Sequence, residues 1–226
     1  MLAGISAEYY LRLEQGKESQ PSDEVVARLA RALHLDDDAA AYMRNLAHPG
    51  QQRRGRIPPE HIDPRIQNMI DRWPSTPAYV QGRRLSVLAA NPLARAVSPF
   101  FGPGVNLLRA TFLESEMRTF VRNWDDITAV LVAWLRFVLG AESTADPELL
   151  ATVCELRASS QRFRTLWARH DVKQKTTGIA QFLHPEVGPL DLYYRTMVFP
   201  ETGQILVTYD AEKDSPSEQR LQLLSR

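Results

Sequence analysis

Ala3-Gly4-Ile5-Ser6-Ala7-Glu8-Tyr9-Tyr10-Leu11-Arg12-Leu13-Glu14-Gln15-Gly16-Lys17 is the stretch from which the rest of the chain is read. Ser6 stands where a side-chain oxygen can accept a backbone N–H and open a helix. Tyr10 and Leu13 then fall on one apolar stripe, while Glu8, Arg12 and Gln15 face elsewhere. Gly16 follows, where a left-handed residue closes a helix with least strain. The spacing predicts a capped helix over Ser6–Gln15, entered from a turn of small residues.

Turn, cap, short helix and glycine stop is the layout of the groove-entering helix of a helix-turn-helix. Two further helices are predicted, Asp23–Leu33 with Val25, Val26, Leu29, Ala30 and Leu33 at helical spacing, and Asp37–Ala47 with acidic residues at its positive end. Residues 49–62 break every period with proline, glycine and polar residues and read as a linker. Arg53, Arg54 and Arg56 there read either as contacts to DNA phosphate or as a solvated basic tether.

From residue 63 a second domain is predicted. It opens with a helix over Pro64–Trp73 and a hairpin of Ala78–Gln81 and Leu85–Ala89. Asn91-Pro92 follows as cap and first helical residue of a helix through Val97, and Asn106–Phe112 is another. Asp125–Leu139 is apolar nearly all round, which marks a helix that is buried or covered by a partner. Pro147–Arg157 and Ser160–Arg169 are further helices. Gly178–His184, Leu190–Phe199 and Gln204–Tyr209 alternate with period two, and Ser215–Leu224 closes the chain as a helix. The fold class is α+β: a short all-α remnant of a helix-turn-helix (1–48), the linker (49–62), and a domain (63–226) with a five-stranded antiparallel sheet and flanking helices.

The 226 residues, 44% hydrophobic and 24% charged, suit one or two globular domains. The 27 basic residues equal the 27 acidic ones, and residues 1–56 hold eight of each, so any DNA affinity must come from local placement rather than net field. The single cysteine, Cys154, excludes an internal disulfide, fits a reducing cytosol and is expected to be a small buried residue of its helix. Without a signal segment or a membrane-length apolar run, a cytoplasmic protein is expected, with no membrane partner. No metal-ligand spacing or catalytic motif is present, so neither a metal site nor an enzyme is expected. A trio of His170, Asp171 and a distant serine is the kind of coincidence any chain this long offers.

Residues 3–38, AGISAEYYLRLEQGKESQPSDEVVARLARALHLDDD, resemble the end of a Cro/repressor-type helix-turn-helix domain of the XRE class. VLAANPLARAV (87–97), NLLRATFL (106–113), RFRTLWARHDV (162–172) and HPEVGPLDLYY (184–194) resemble the MmyB-like bacterial regulators, which join such a domain to a PAS-like ligand-binding domain. The resemblance spans nearly the whole chain. It implies a transcription regulator that binds double-stranded operator DNA as a homodimer. Matched to the repressor pattern, Ala7, Glu8 and Arg12 fall at base-edge positions and Gln15 and Lys17 at backbone phosphate, with Tyr9 against the sugar-phosphate. The family's full domain carries two helices ahead of the recognition helix, and Met1-Leu2-Ala3 retains only the last residues of the second. An incomplete DNA-binding domain is therefore expected, and a ligand sensor without competent DNA binding is the alternative reading. Asp125–Leu139 and Ser215–Leu224 offer themselves as dimer surfaces.

Phe163, Leu166, Trp167 and His170 stand at i, i+3, i+4 and i+7 and are expected to share one helix face. Either His170 is an interior histidine satisfied within the core, or it marks the polar end of an apolar cavity. The resemblance implies the cavity, with a fatty acid or similar apolar small molecule as its ligand and no other cofactor. Candidates for the head group are Arg169, His170, Tyr193 and Tyr194. Candidates for the tail are Phe163, Trp167, Leu108, Trp134, Phe182 and Leu192.

Overall fold

The computed structural model describes residues 5–18, 20–47, 60–141, 146–173 and 176–225, so Arg53, Arg54 and Arg56 lie outside the described residues. The chain divides into two compact units. One comprises Met1–Ile57, Val132–Pro147 and Leu166–Gln174; the other comprises Pro58–Leu131, Glu148–Thr165 and Lys175–Arg226.

In the first unit α1 (Ala7–Glu14), α2 (Asp23–Ala32) and α3 (Asp37–Ala47) follow the sequence signals closely. Ser6 caps α1 by accepting the Tyr9 N–H at 3.1 Å. Gly16, at φ +65°, closes it: Lys17 N–H bonds the Arg12 carbonyl and Gly16 N–H the Leu13 carbonyl, at 2.9 and 3.0 Å. His34 does the same for α2 at φ +53°, a left-handed position taken without glycine. Val26, Leu29 and Ala30 are the buried residues of α2, whereas α1 buries none.

The second unit is built on one antiparallel sheet of order β2-β1-β5-β4-β3, from β1 (Ala78–Gln81), β2 (Val87–Ala90), β3 (Thr177–His184), β4 (Gly188–Val198) and β5 (Ile205–Ala211). Period-two alternation gives it two faces. Ala180, Phe182, Leu190, Leu192, Tyr194, Val207, Tyr209 and Tyr79 share the inner, buried face. On the outer face α4 (Pro64–Asp71) lays Ile70 onto Ala78, Val80, Ala89 and Leu206, and burial of one such side chain is worth about 1.5–3 kcal/mol. Gly178 pairs with Tyr194 across β3–β4, and a Cβ there would stand 2.4 Å from the Tyr194 hydroxyl, so this glycine makes room for the ring.

Both sheet edges are partly covered. Along β3, Arg122 N–H bonds the Gln181 carbonyl at 2.7 Å, and the Asn123 side chain bonds Gln181 N–H and the Ile179 carbonyl, each at 3.0 Å. Along β2, Val105 and Gly104 take both backbone groups of Val87 at 2.8 Å. Such covering removes the unpaired rows that edge strands otherwise present.

Helices α5 (Pro92–Val97), α6 (Leu107–Leu113), α7 (Ser115–Phe120), α8 (Trp124–Ala141), α9 (Pro147–Ser159), α10 (Gln161–Trp167) and α11 (Pro216–Leu224) complete the described elements, with a 3-10 turn at Pro99–Phe101. The turn and α7 are not legible in the sequence pattern. Cys154 is exposed on α9 rather than buried: Leu149, Val153 and Leu156 form the inward side, and Cys154 stands one step off it.

Candidate functional site

The first candidate surface is α1. Ala7, Glu8, Arg12, Gln15 and Lys17 are exposed and Tyr9 is half-buried. Glu8, Arg12 and Gln15 stand at i, i+4 and i+7, so one stripe carries them. The Arg12 guanidinium lies 5.8 Å from the Tyr9 ring centroid, an aromatic rest that limits the freedom of the long side chain. Glu14 bonds the Tyr10 hydroxyl and holds that phenol above its ordinary value. Gln15 and Lys17 sit in the closing turn, where backbone geometry rather than side-chain packing fixes them.

The second candidate lies on the inner face of the sheet. Phe101 stacks between Tyr79 and Tyr209, at 4.9 and 5.5 Å between ring centroids. Phe182 stacks on Phe120 at 4.9 Å and meets Phe101 edge-on at 6.0 Å. Tyr194 meets Tyr209 at 6.4 Å. Elsewhere in this unit Phe163 meets Phe112 edge-on at 5.2 Å, and Trp124 lies between the guanidinium groups of Arg118 and Arg162. The tyrosine hydroxyls are the polar points in this apolar setting. Those of Tyr79 and Tyr209 are bonded to each other, and burial pushes both phenols well above their ordinary value of 10.0. Burial raises Tyr194 as well.

Of the residues expected from sequence, Phe182, Leu192 and Tyr194 come together on the inner face, and Leu108 and Phe163 are fully buried in the same unit. Trp134 is buried in the first unit and Trp167 is half-buried there. The head-group candidates are not brought together. Tyr193 alternates with Tyr194 and points to the outer face, 41% exposed. His170 does not join Phe163, Leu166 and Trp167 on the expected helix face, because α10 ends at Trp167. Arg169 N–H turns back onto the Leu166 carbonyl at 3.1 Å, His170 takes φ +58°, and both side chains are exposed.

Two clefts open away from this interior. One, of about 330 Å3, lies between the outer face at Ile179 and Tyr193 and the start of α11. The other, of about 210 Å3, lies between Thr76, Asp210 and the later turns of α11.

Comparison with known families supplies the deciding observation. Residues 62–224 match the MmyB-like transcription regulator ligand binding domain, and residues 1–43 match a helix-turn-helix domain. The chain belongs to the MmyB-like transcription regulators. No curated protein matches it. This MmyB-like chain thus carries a DNA-binding helix-turn-helix beside a ligand-binding domain, the composition of a ligand-responsive transcription regulator, and neither matched family is one of enzymes. Among the described residues no helix is long and apolar enough to cross a membrane.

Three residues of the regulator escaped the sequence reading. Tyr79 and Tyr209 look like ordinary strand aromatics until the register sets them side by side across β1 and β5. Arg136 did leave a signal, a lone cation inside the apolar run Ala129–Leu139. It is only 8% exposed, its guanidinium carbon lies 4.2 Å from the Trp167 ring centroid, and it donates to the Trp167 carbonyl.

The buried phenols set an alkaline limit. An unfolded chain releases their protons near pH 10 while the folded chain retains them, so the stability they confer is whole below that pH and is lost above it. Unfolding free energy therefore falls as pH rises above about 10, the ordinary value of both phenols. Urea unfolding at several alkaline pH values measures this slope, and Tyr79→Phe is expected to remove about half of it. An unchanged slope in that variant would show that Tyr79 ionises as freely folded as unfolded.

Proposed function

We propose that this regulator binds an operator as a homodimer, with α1 in the major groove, and that an apolar small molecule such as a fatty acid held by its ligand-binding domain biases that binding. The domain is PAS-like in this reading, and the protein works in the cytoplasm, where DNA and metabolic lipids meet. The observation that carries the proposal is the pairing of the two family matches in one chain, with the α1 side chains free to touch DNA.

Ala7, Glu8 and Arg12 face base edges, Tyr9 rests on sugar, and Gln15 and Lys17 hold phosphate. An Arg pairs bidentately with guanine, and phosphate contacts fix the register without reading sequence. For the ligand, Phe182 and Leu192 on the inner face, with Leu108 and Phe163 from helices of the same unit, supply apolar wall, and Tyr194 with the Tyr79–Tyr209 pair supplies hydroxyls. An aliphatic chain entering such an interior exchanges apolar contact for apolar contact, and a few convergent polar groups orient it. Coupling of about 1–3 kcal/mol between ligand and operator is enough to switch a promoter, and it acts in both directions.

Native mass spectrometry of the protein purified from cells, followed by titration with dodecanoate, tests the ligand. A lipid-sized adduct, or uptake of one dodecanoate per chain, is the expected result. A bare chain that takes up no dodecanoate would remove the fatty-acid assignment.

A further inference from the structure

The cleft of about 330 Å3 between the outer face of the sheet and the start of α11 lies wholly within the second unit. Its apolar wall is Ile179 and Tyr193, which stand opposite each other in the β3–β4 register and are both exposed. Cross-strand partners lie about 4.5–5.5 Å apart at Cβ, so the two side chains form one continuous patch. Three charged side chains line the cleft, Asp191, Glu212 and Arg220. Asp191 already has its counter-charge: it pairs with Arg122 at 3.3 Å and accepts from the Gln181 amide at 3.2 Å. Arg220 is half-buried and donates from Nη1 to the Pro189 carbonyl at 2.9 Å, yet it meets no carboxylate among the described residues. Glu212 is exposed and meets no cation among them. One cleft thus holds a cation and an anion that do not bridge, beside an apolar patch open to water.

We infer that this cleft binds a free α-amino acid with an apolar side chain. Such a molecule carries a carboxylate and an ammonium on one carbon, so it satisfies both unbridged charges at once. The Arg220 guanidinium, a planar fork of donors, receives the carboxylate. The Glu212 carboxylate receives the ammonium, and the ligand's side chain covers Ile179 and Tyr193. The volume stands at the low end of the range of about 300–1,000 Å3 that small-molecule sites span, which suits a compact ligand rather than a long aliphatic chain. Solvent screens the exposed Glu212 and the half-buried Arg220, so an affinity on the order of 1 mM is expected. The cleft opens away from the inner face proposed for the fatty acid, and the inference stands or falls independently of that proposal.

Titration of nitrogen-15-labelled full-length protein with L-leucine, followed through its amide chemical shifts, tests the inference. Saturable shifts are expected at Gln181, Tyr193 and Ser217, which line the cleft. Leucinamide lacks the carboxylate and N-acetylleucine lacks the ammonium, and each should bind at least about fivefold more weakly than leucine. Two variants assign the charges. Arg220→Gln should weaken leucine about 5- to 20-fold and leave leucinamide within about twofold, because leucinamide has no carboxylate to lose. Glu212→Gln should weaken leucine about two- to fivefold and leave N-acetylleucine unchanged. Absence of saturable shifts with leucine and with phenylalanine would overturn the inference. So would leucinamide and N-acetylleucine binding as well as leucine, and both comparisons use the wild type and need no variant to fold. Parallel weakening of leucine and leucinamide by Arg220→Gln would overturn it too, by making Arg220 a support of the Pro189 turn. Dodecanoate shifting the same three amides would give the cleft to the fatty acid and remove the amino acid from it.

Discussion

Asn91→Asp is expected to unfold the sheet unit under conditions where the wild type is stable, a loss of about 3–5 kcal/mol. Asn91 is wholly buried, and its amide is used from both ends. Nδ2 donates to the carbonyls of Ile70, Trp73 and Thr76 at 3.2, 3.2 and 2.8 Å. Oδ1 accepts the N–H groups of Ala78 and Ala94 at 3.1 and 2.9 Å. One side chain thereby ties the end of α4, the loop after it, the start of β1 and the first turn of α5. Aspartate keeps the shape but turns both donors into an acceptor. Three carbonyls, one buried and two part-buried, would then face a carboxylate. Asn91→Ala avoids the charge yet strands the same five groups, and each stranded group costs about 1–3 kcal/mol, part of which water entering the vacated space would recover. Urea unfolding followed by tryptophan fluorescence and circular dichroism gives the number. A helix cap alone is worth about 1 kcal/mol, so a loss that small would mean that the three carbonyls find other donors.

The second large effect concerns DNA. Replacing Arg12 and Lys17 together by alanine should weaken operator binding by about 2–4 kcal/mol, since one bidentate base contact and one phosphate contact are removed. Both side chains are exposed, and the Ser6 cap and Gly16 closure that shape α1 do not involve them, so the helix itself should survive. Fluorescence anisotropy on an operator selected from random duplexes, repeated across salt concentrations, separates the contributions. Arg12→Ala should erase preference at one base pair, while Lys17→Ala should weaken all sequences alike and reduce the salt slope by about one. Unchanged affinity and slope in the double variant would exclude α1 as the reading helix.

Much of this architecture was legible in the residues. Ser6, Gly16 and the Asn91-Pro92 pair mark helix ends to within a residue, because caps and left-handed closures depend on chemistry local to the chain. The last three strands were legible from alternation. What escaped depends on partners far away in sequence. Helix α7 has a glutamate at its cap position that makes no capping bond and buries only Met117, so no local signal announces it. The end of α10 is set by a left-handed histidine, a role that sequence assigns to glycine. For the candidate ligand site the difficulty is sharper. Tyr193 and Tyr194 are adjacent in sequence, yet the pleat sends them to opposite sides of the sheet. Tyr79 and Tyr209 are far apart in sequence and share a hydrogen bond, which only the register of β1 against β5 reveals.

The stoppered rims of the sheet bear on how this regulator behaves when crowded. With Asn123 and Arg122 occupying one border and Gly104 and Val105 the other, a neighbour seeking to extend the ladder finds the hydrogen-bonding sites of Gln181 and Val87 already spoken for. A strand that adds to this sheet must therefore begin away from these covered positions.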